Sequence, residues 1–308
     1  MTLQSHPRPP RSATGSALSG ALCLLLLWVC ATLRGVRADQ CDLCADNWLI
    51  ILGAGGRTGS TTALAMFRLL PGVKLSGEHG GFLVDQYEIY SKLVKVGTHT
   101  DLAWSGEPFD EHAFLCLTQE LVRSVVLGAG RGNGTSGHRI LGFKEIRYVT
   151  PHMLQFLVFA FPCARFIFSV REFTDPSVNK NKTRSTNQLH VIWEKERKVA
   201  AAVHAEFPNT TALLAVERLS VEMYNDILHR VLGISGCEFT AIHGENLHGG
   251  YSPGDAAEKE ERERDAFTRG RCDISGVDFR LSPSEQKRKQ EFWTALARKF
   301  SCGKSYCM

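Results

Sequence analysis

Four short stretches carry side chains able to handle charge. In NWLIILGAGGRTGSTTALAMFRLLPG, residues 47–72, an apolar run from Trp48 to Leu52 breaks into glycines and resumes with apolar residues at helical spacing. A strand, a glycine turn and a helix in that order make an anion site, because the first N–H groups of a helix have no partner within it. Arg57 adds a cation to this turn, and Thr58, Ser60 and Thr61 add hydroxyls around Gly59. LSGEHGG offers Glu78 and His79 as proton acceptors. GFKEIRY offers Lys144 to stabilise a developing negative charge, with Glu145 to orient it, or else a structural cluster of Lys144, Glu145 and Arg147. ARFIFSVRE ends an apolar run on Arg171, whose guanidinium fork suits a phosphate.

Elements must place these residues together. GVKL, RILGFKE, ARFIFSV and the start of ALLAVERLS read as strands beside the one that opens at Trp48. Helical spacing recurs over 82–126, in TPHMLQFLVFAFP with Pro151 at its first turn, in STNQLHVIWEKERKVAAAVHAEF and in VEMYNDILHRVLG. SPSEQKRKQEFWTALARKF opens on a capping box, Ser282 to Glu285. The charge run DAAEKEERERDAFTRGR reads as a solvated helix face, and 128–138 as a glycine-rich loop. Continuous apolar strands alternating with helices predict an α/β fold, a parallel sheet with helices on both faces in three layers. Ligands in such folds sit at the carboxyl ends of the strands, which is where Gly55 to Thr61, Glu78, Lys144 and Arg171 fall.

With 308 residues, 44% hydrophobic and 22% charged, the composition is that of a globular protein. A net charge of +4 gives no electrostatic footprint for nucleic acid. Residues 12–33 are uncharged around ALCLLLLWVCATL, with Arg8 and Arg11 before them and VRA ending at Ala38. Residues 1–38 therefore read as a signal peptide or a signal anchor, 39–46 as a short cysteine-containing stem, and 47–308 as the folded domain, which the resemblance given below would make the catalytic one. Either leader delivers the chain to the secretory pathway, and the membrane is a partner only through this segment if it stays uncleaved. Eight cysteines follow residue 38, a number compatible with disulfides of undetermined pairing, and CDLC reads as structural rather than redox-active. Asn133, Asn181 and Asn209 open glycosylation sequons. No metal-ligand spacing is present, so no metal is expected.

The glycine turn admits three readings. A Walker A loop needs Lys after its last glycine, and Ser60 stands there. A dinucleotide turn fits GAGGRTG, with Arg57 available to an NADP 2′-phosphate, which makes a short-chain-reductase-like protein the alternative. None of the six tyrosines has Lys four residues on, the usual proton-transfer pair of those enzymes. In the third reading, GGRTGST resembles the 5′-phosphosulfate loop of the sulfotransferases that use 3′-phosphoadenosine-5′-phosphosulfate (PAPS). ARFIFSVREFTDPSVN resembles their 3′-phosphate element, and LLAVERLSVEMYNDILHRVLGI the strand and helix after it, in the same order over roughly 47–235.

That resemblance implies a P-loop-NTPase-like sulfotransferase fold, a Golgi lumenal (type II membrane) or secreted location, and PAPS as sulfuryl donor without a metal. The acceptor would be a hydroxyl or amine of a glycan, a protein or a small molecule. It implies donor contacts at Arg57, Thr58, Gly59, Ser60, Thr61 and Arg171, and Glu78 as base with His79 second. The family's serine eight residues after the arginine is here Asn179, with Ser177 nearby.

Overall fold

The computed structural model describes residues 41–97, 109–128, 138–172, 186–243, 265 and 267–301. Five strands form one parallel sheet: β1 (Asn47–Gly53), β2 (Val73–Ser76), β3 (Ile140–Glu145), β4 (Arg165–Val170) and β5 (Thr211–Ala215), in the order β2-β3-β1-β4-β5. Between and after them run α1 (Ser60–Arg68), α2 (Phe82–Gly97), α3 (Glu111–Leu121), α4 (Pro151–Ala160), α5 (Thr186–Glu206), α6 (Val221–Asp226) and α7 (Pro283–Ser301). The α/β expectation holds, and among the described residues the expected strands and helices occur with one exception.

Alternation along β1 explains the layers. Trp48, Ile50 and Leu52 enter one apolar cluster with residues of α4, α5 and α7, while Leu49 and Ile51 enter the other with α1 and α6. Successive side chains of a strand point to opposite faces, so a strand buried on both is apolar throughout. At the start of α7 the capping box forms as read: Ser282 Oγ accepts from Glu285 N, and Glu285 accepts from Ser282 N at 2.9 Å.

The TRGR segment corrects one expectation. It belongs to a strand, β7 (Thr268–Asp273), antiparallel to β6 (Ser235–Phe239), and not to a helix face. Arg269 there pairs with Glu238 at 2.8 Å across the ladder. A disulfide between Cys237 and Cys272 fastens these two strands, and one between Cys44 and Cys163 ties the stem to the turn before β4. Cys41 and Cys116 are disulfide-bonded as well. CDLC is therefore structural, with Cys44 joined to a cysteine 119 residues on. Bridges of this kind persist in oxidising compartments and fit a secreted or lumenal chain. Among the described residues, no helix is long and apolar enough to cross a membrane. The leader, Asn133, Ser177, Asn179 and Asn181 lie outside the described residues; Asn209 is exposed in the turn before β5.

Candidate functional site

The site grows from the carboxyl end of β1. This strand has β3 on one side and β4 on the other, so chain connections leave it in both directions, and a crevice opens at such a point. The register sets Lys144 and Glu145 beside Ile51 and Leu52, and Ser169 beside Gly53. The loop then turns through Gly55 (φ 75°), Arg57 (φ 66°) and Gly59 (φ 81°). Arg57 is the one described non-glycine residue in the left-handed region, a conformation that costs a side-chain-bearing residue on the order of 1 kcal/mol. Gly59 is the N-cap of α1 and supplies no side-chain cap, so the helix presents its first N–H groups without one.

Within the loop the hydroxyls differ. Thr58 is buried and its Oγ1 donates to the Gly55 carbonyl at 3.4 Å, so it shapes the turn. Ser60 is buried beneath it, and Thr61 is exposed on the first helical turn. Arg171, just past β4, reaches back to the loop: its Nε and Nη2 both donate to the Arg57 carbonyl, at 3.2 and 2.6 Å. The same guanidinium lies 3.6 Å from Glu217 and stacks over Trp193, 5.7 Å from the ring centroid. Arg171 therefore clamps the strained residue in place before it contacts any ligand.

On the β3 side the predicted trio comes together. Lys144 is buried and its Nζ bonds the Glu78 carboxylate, whose other oxygen lies 3.6 Å from Arg147. Glu145 is fully buried and accepts from Gly81 N at 3.1 Å, Ile146 N at 2.9 Å and Arg147 Nη1 at 2.6 Å. It is the structural hub of this side, holding the turn that carries Glu78. His79 sits edge-on among Phe82 and Phe143, with Tyr148 tilted against it and its Nδ1 3.9 Å from Glu145. Burial pulls its pKa below the ordinary histidine value, against the opposing pull of Glu145. The balance favours its neutral form.

Two further residues face the loop: Trp193 and Glu196, one turn apart on α5. A Cβ placed on Gly55 would stand 2.7 Å from Trp193 Cδ1 and 3.8 Å from Glu196 Oε2, so the indole occupies the space that glycine leaves. Nothing in an amphipathic helix pattern singles these two out, because the spacing that brings them to the loop is the same i, i+3 spacing that builds any helix face. Arg147 joins Glu145 as the expected charge cluster has it, whereas Glu217 was legible only as a member of a charged segment.

The cysteines of the Cys41, His112 and Cys116 grouping are both oxidised in disulfides, so they offer no thiolate to a metal. Set against known proteins, the chain matches no family model and no curated protein.

Proposed function

We infer that the protein is a PAPS-dependent sulfotransferase of the secretory pathway, with a P-loop-like fold. One observation carries the reading: an α1 N-terminus with no side-chain cap follows β1, which lies between β3 and β4, with Lys144 and Glu78 on one flank and Arg171 on the other. An anion with a phosphate at each end suits such a layout, one end on the N–H groups of the turn and the other toward the arginine.

The strand order weighs against the dinucleotide alternative. In dinucleotide folds β2 lies next to β1, so the acidic residue ending β2 reaches the ribose held over the β1 turn. Here β3 stands between them, and Glu78 beyond β2 is bonded to Lys144 instead.

The donor supplies an activated sulfuryl group, and the chain's residues do the rest. Thr58 and Arg171 hold the turn; the N–H groups of α1, with Ser60, Thr61 and Arg57, bind the phosphosulfate. Glu78 takes the proton of the acceptor hydroxyl as its oxygen bonds to sulfur and the bond from sulfur to the bridging phosphate oxygen breaks. Lys144 meets the charge that gathers on that oxygen. His79, enclosed by the rings of Phe82, Phe143 and Tyr148, supports Glu78's turn. The acceptor is a glycan, protein or small-molecule hydroxyl or amine.

The test is the melting temperature of the full chain with adenosine 3′,5′-bisphosphate, with NADPH, and alone. A ligand at a hundredfold excess over its Kd stabilises by about 2.7 kcal/mol. The reading expects that gain from the bisphosphate and its loss in Arg57→Ala. Stabilisation by NADPH alone would return the turn to the dinucleotide reading.

A further inference from the structure

We propose that Asn209 carries an N-linked glycan whose first sugars lie along the open edge of β5 and in the groove beside it, covering an edge of the sheet that the polypeptide leaves bare. The proposal rests on the secretory placement of the chain and is independent of what the glycine turn holds.

Among the described residues the sheet ends at β2 on one side and at β5 on the other. A strand edge offers unpaired N–H and C=O groups to any passing chain, and charges, proline or a cover blunt it. At β2 the polypeptide does this itself. Ile140 N donates to the Gly72 carbonyl, so the backbone of Val73 and Leu75 faces away from β3. Arg68 donates from Nε and Nη2 to that Leu75 carbonyl, at 3.1 and 3.0 Å, and Lys74 stands in the strand. β5 has no such device: its sequence TALLA holds neither charge nor proline. Phe166 N donates to the Thr210 carbonyl and Phe166 pairs with Thr211, so Ala212 and Leu214 turn their backbone groups to β4. Those of Thr211 and Leu213 turn outward, where no described strand lies.

Asn209 opens the sequon Asn-Thr-Thr and is exposed in the turn two residues before β5. A groove of about 360 Å³ borders the same strand, lined by His204, Leu213, Glu222, Met223, Asp226 and Arg230 among others. Arg230, on the helical turn that continues α6, ties the groove to the sequon. Its Nη1 donates to the carbonyl of Pro208, the residue before Asn209, while its Nε and Nη2 hold Asp226. Half-buried Leu213 and Met223 supply apolar surface, and exposed Glu222, Asp226 and Arg230 supply hydrogen-bonding groups. Sugar rings and their hydroxyls use that mixture. A tether this short holds the sugar at an effective concentration of order millimolar, so weak contacts suffice.

The disulfides fit a compartment where such glycans are added. There the Asn209 amide nitrogen bonds to the anomeric carbon of a lipid-diphosphate-linked oligosaccharide as the bond from that carbon to the diphosphate oxygen breaks. The amide gives up one proton and the lipid diphosphate leaves. In the fold Thr211 is buried, its hydroxyl donating to the Phe207 carbonyl at 2.8 Å and bonded to His204 Nδ1 at 3.0 Å. The sequon is therefore read before β5 joins the sheet.

The experiment uses the full chain made in eukaryotic cells that add N-glycans. Peptide mass mapping reads occupancy at Asn209, and backbone hydrogen exchange is followed residue by residue before and after enzymatic removal of the glycan from the folded protein. Asn209 should be occupied. Removal should speed exchange at Thr211 and Leu213 roughly tenfold and leave Ala212 and Leu214, bonded to β4, unchanged. Asn209→Gln made in the same cells should match the deglycosylated protein. An occupied Asn209 whose removal leaves exchange at Leu213 unaltered would overturn the proposal. A bare Asn209 would overturn it too, and if the cysteines of the same material were reduced, the secretory placement would fall with it. Neither outcome bears on bisphosphate binding, which tests the donor reading separately.

Discussion

The two flanks of β1 solve the same electrostatic problem in opposite ways. Toward β3, Lys144, Arg147, Glu78 and Glu145 satisfy one another and the backbone of residues 81 and 146, and the unpartnered buried atom is the Nε2 of the His79 ring beside them. Toward β4, Arg171 spends two donors on a carbonyl of the loop, while Glu196 keeps a buried oxygen without a partner. A flank whose charges are paired is rigid and changes little when a ligand arrives. A flank with an unpartnered carboxyl oxygen is less completely satisfied. The largest contributions to fold stability therefore belong on the β3 side, and the loop that Arg171 holds on the β4 side.

The largest expected effect breaks the paired flank. Glu145→Ala strips two backbone N–H groups and Arg147 of a fully buried acceptor and should cost about 3 kcal/mol, read from urea unfolding. A loss under 1 kcal/mol would mean that Glu145 is no hub. Arg171→Ala comes next. Losing the two bonds to Arg57 O should cost about 1–2 kcal/mol and also remove the bisphosphate gain, since the loop relaxes. Arg171→Lys keeps the charge but not the fork, so full rescue by lysine would contradict the clamp.

The next effect sharpens the other flank. In Glu196 the folded pKa lies above the unfolded one, so the folded state holds an extra proton between pH 4.5 and about 8, and stability falls as pH rises through that window. The melting temperature of Glu196→Gln should therefore exceed that of wild type by more at pH 8 than at pH 5. His79 gives the smallest shift and the opposite sign. Its folded pKa is depressed below 6.5, so stability is full above that pH and declines as pH falls below it. His79→Phe should flatten that decline in thermal melts at pH 7 and pH 5; an unchanged slope would mean the ring is charged in the fold.

Much of this frame was legible in the sequence. Apolar runs from Trp48 and from Phe166 could only be strands buried on both faces, and the polar residues just past them had to meet at one end of the sheet. That places Glu78, Lys144 and Arg171 without any knowledge of their partners. The partners were not legible, because they depend on strand order: Glu78 meets Lys144 since β3 lies between β2 and β1, which no periodicity reveals. Trp193 and Glu196 were hidden for a related reason, as their role comes from where α5 packs and from the space that Gly55 leaves. The β6–β7 pair was missed because TRGR carries two arginines and a glycine, poor strand material, and is held there by the Cys237–Cys272 bridge.

The central claim is that the turn from Arg57 to Thr61 holds the phosphosulfate end of the donor, and a crystal structure of the full chain with adenosine 3′,5′-bisphosphate tests it most directly. The account predicts the 5′-phosphate within hydrogen-bond distance of the N–H groups that open α1, with Arg57 turned onto it. A nucleotide whose phosphates lie away from that turn, or a turn that accepts only the pyrophosphate of NADP, would contradict it.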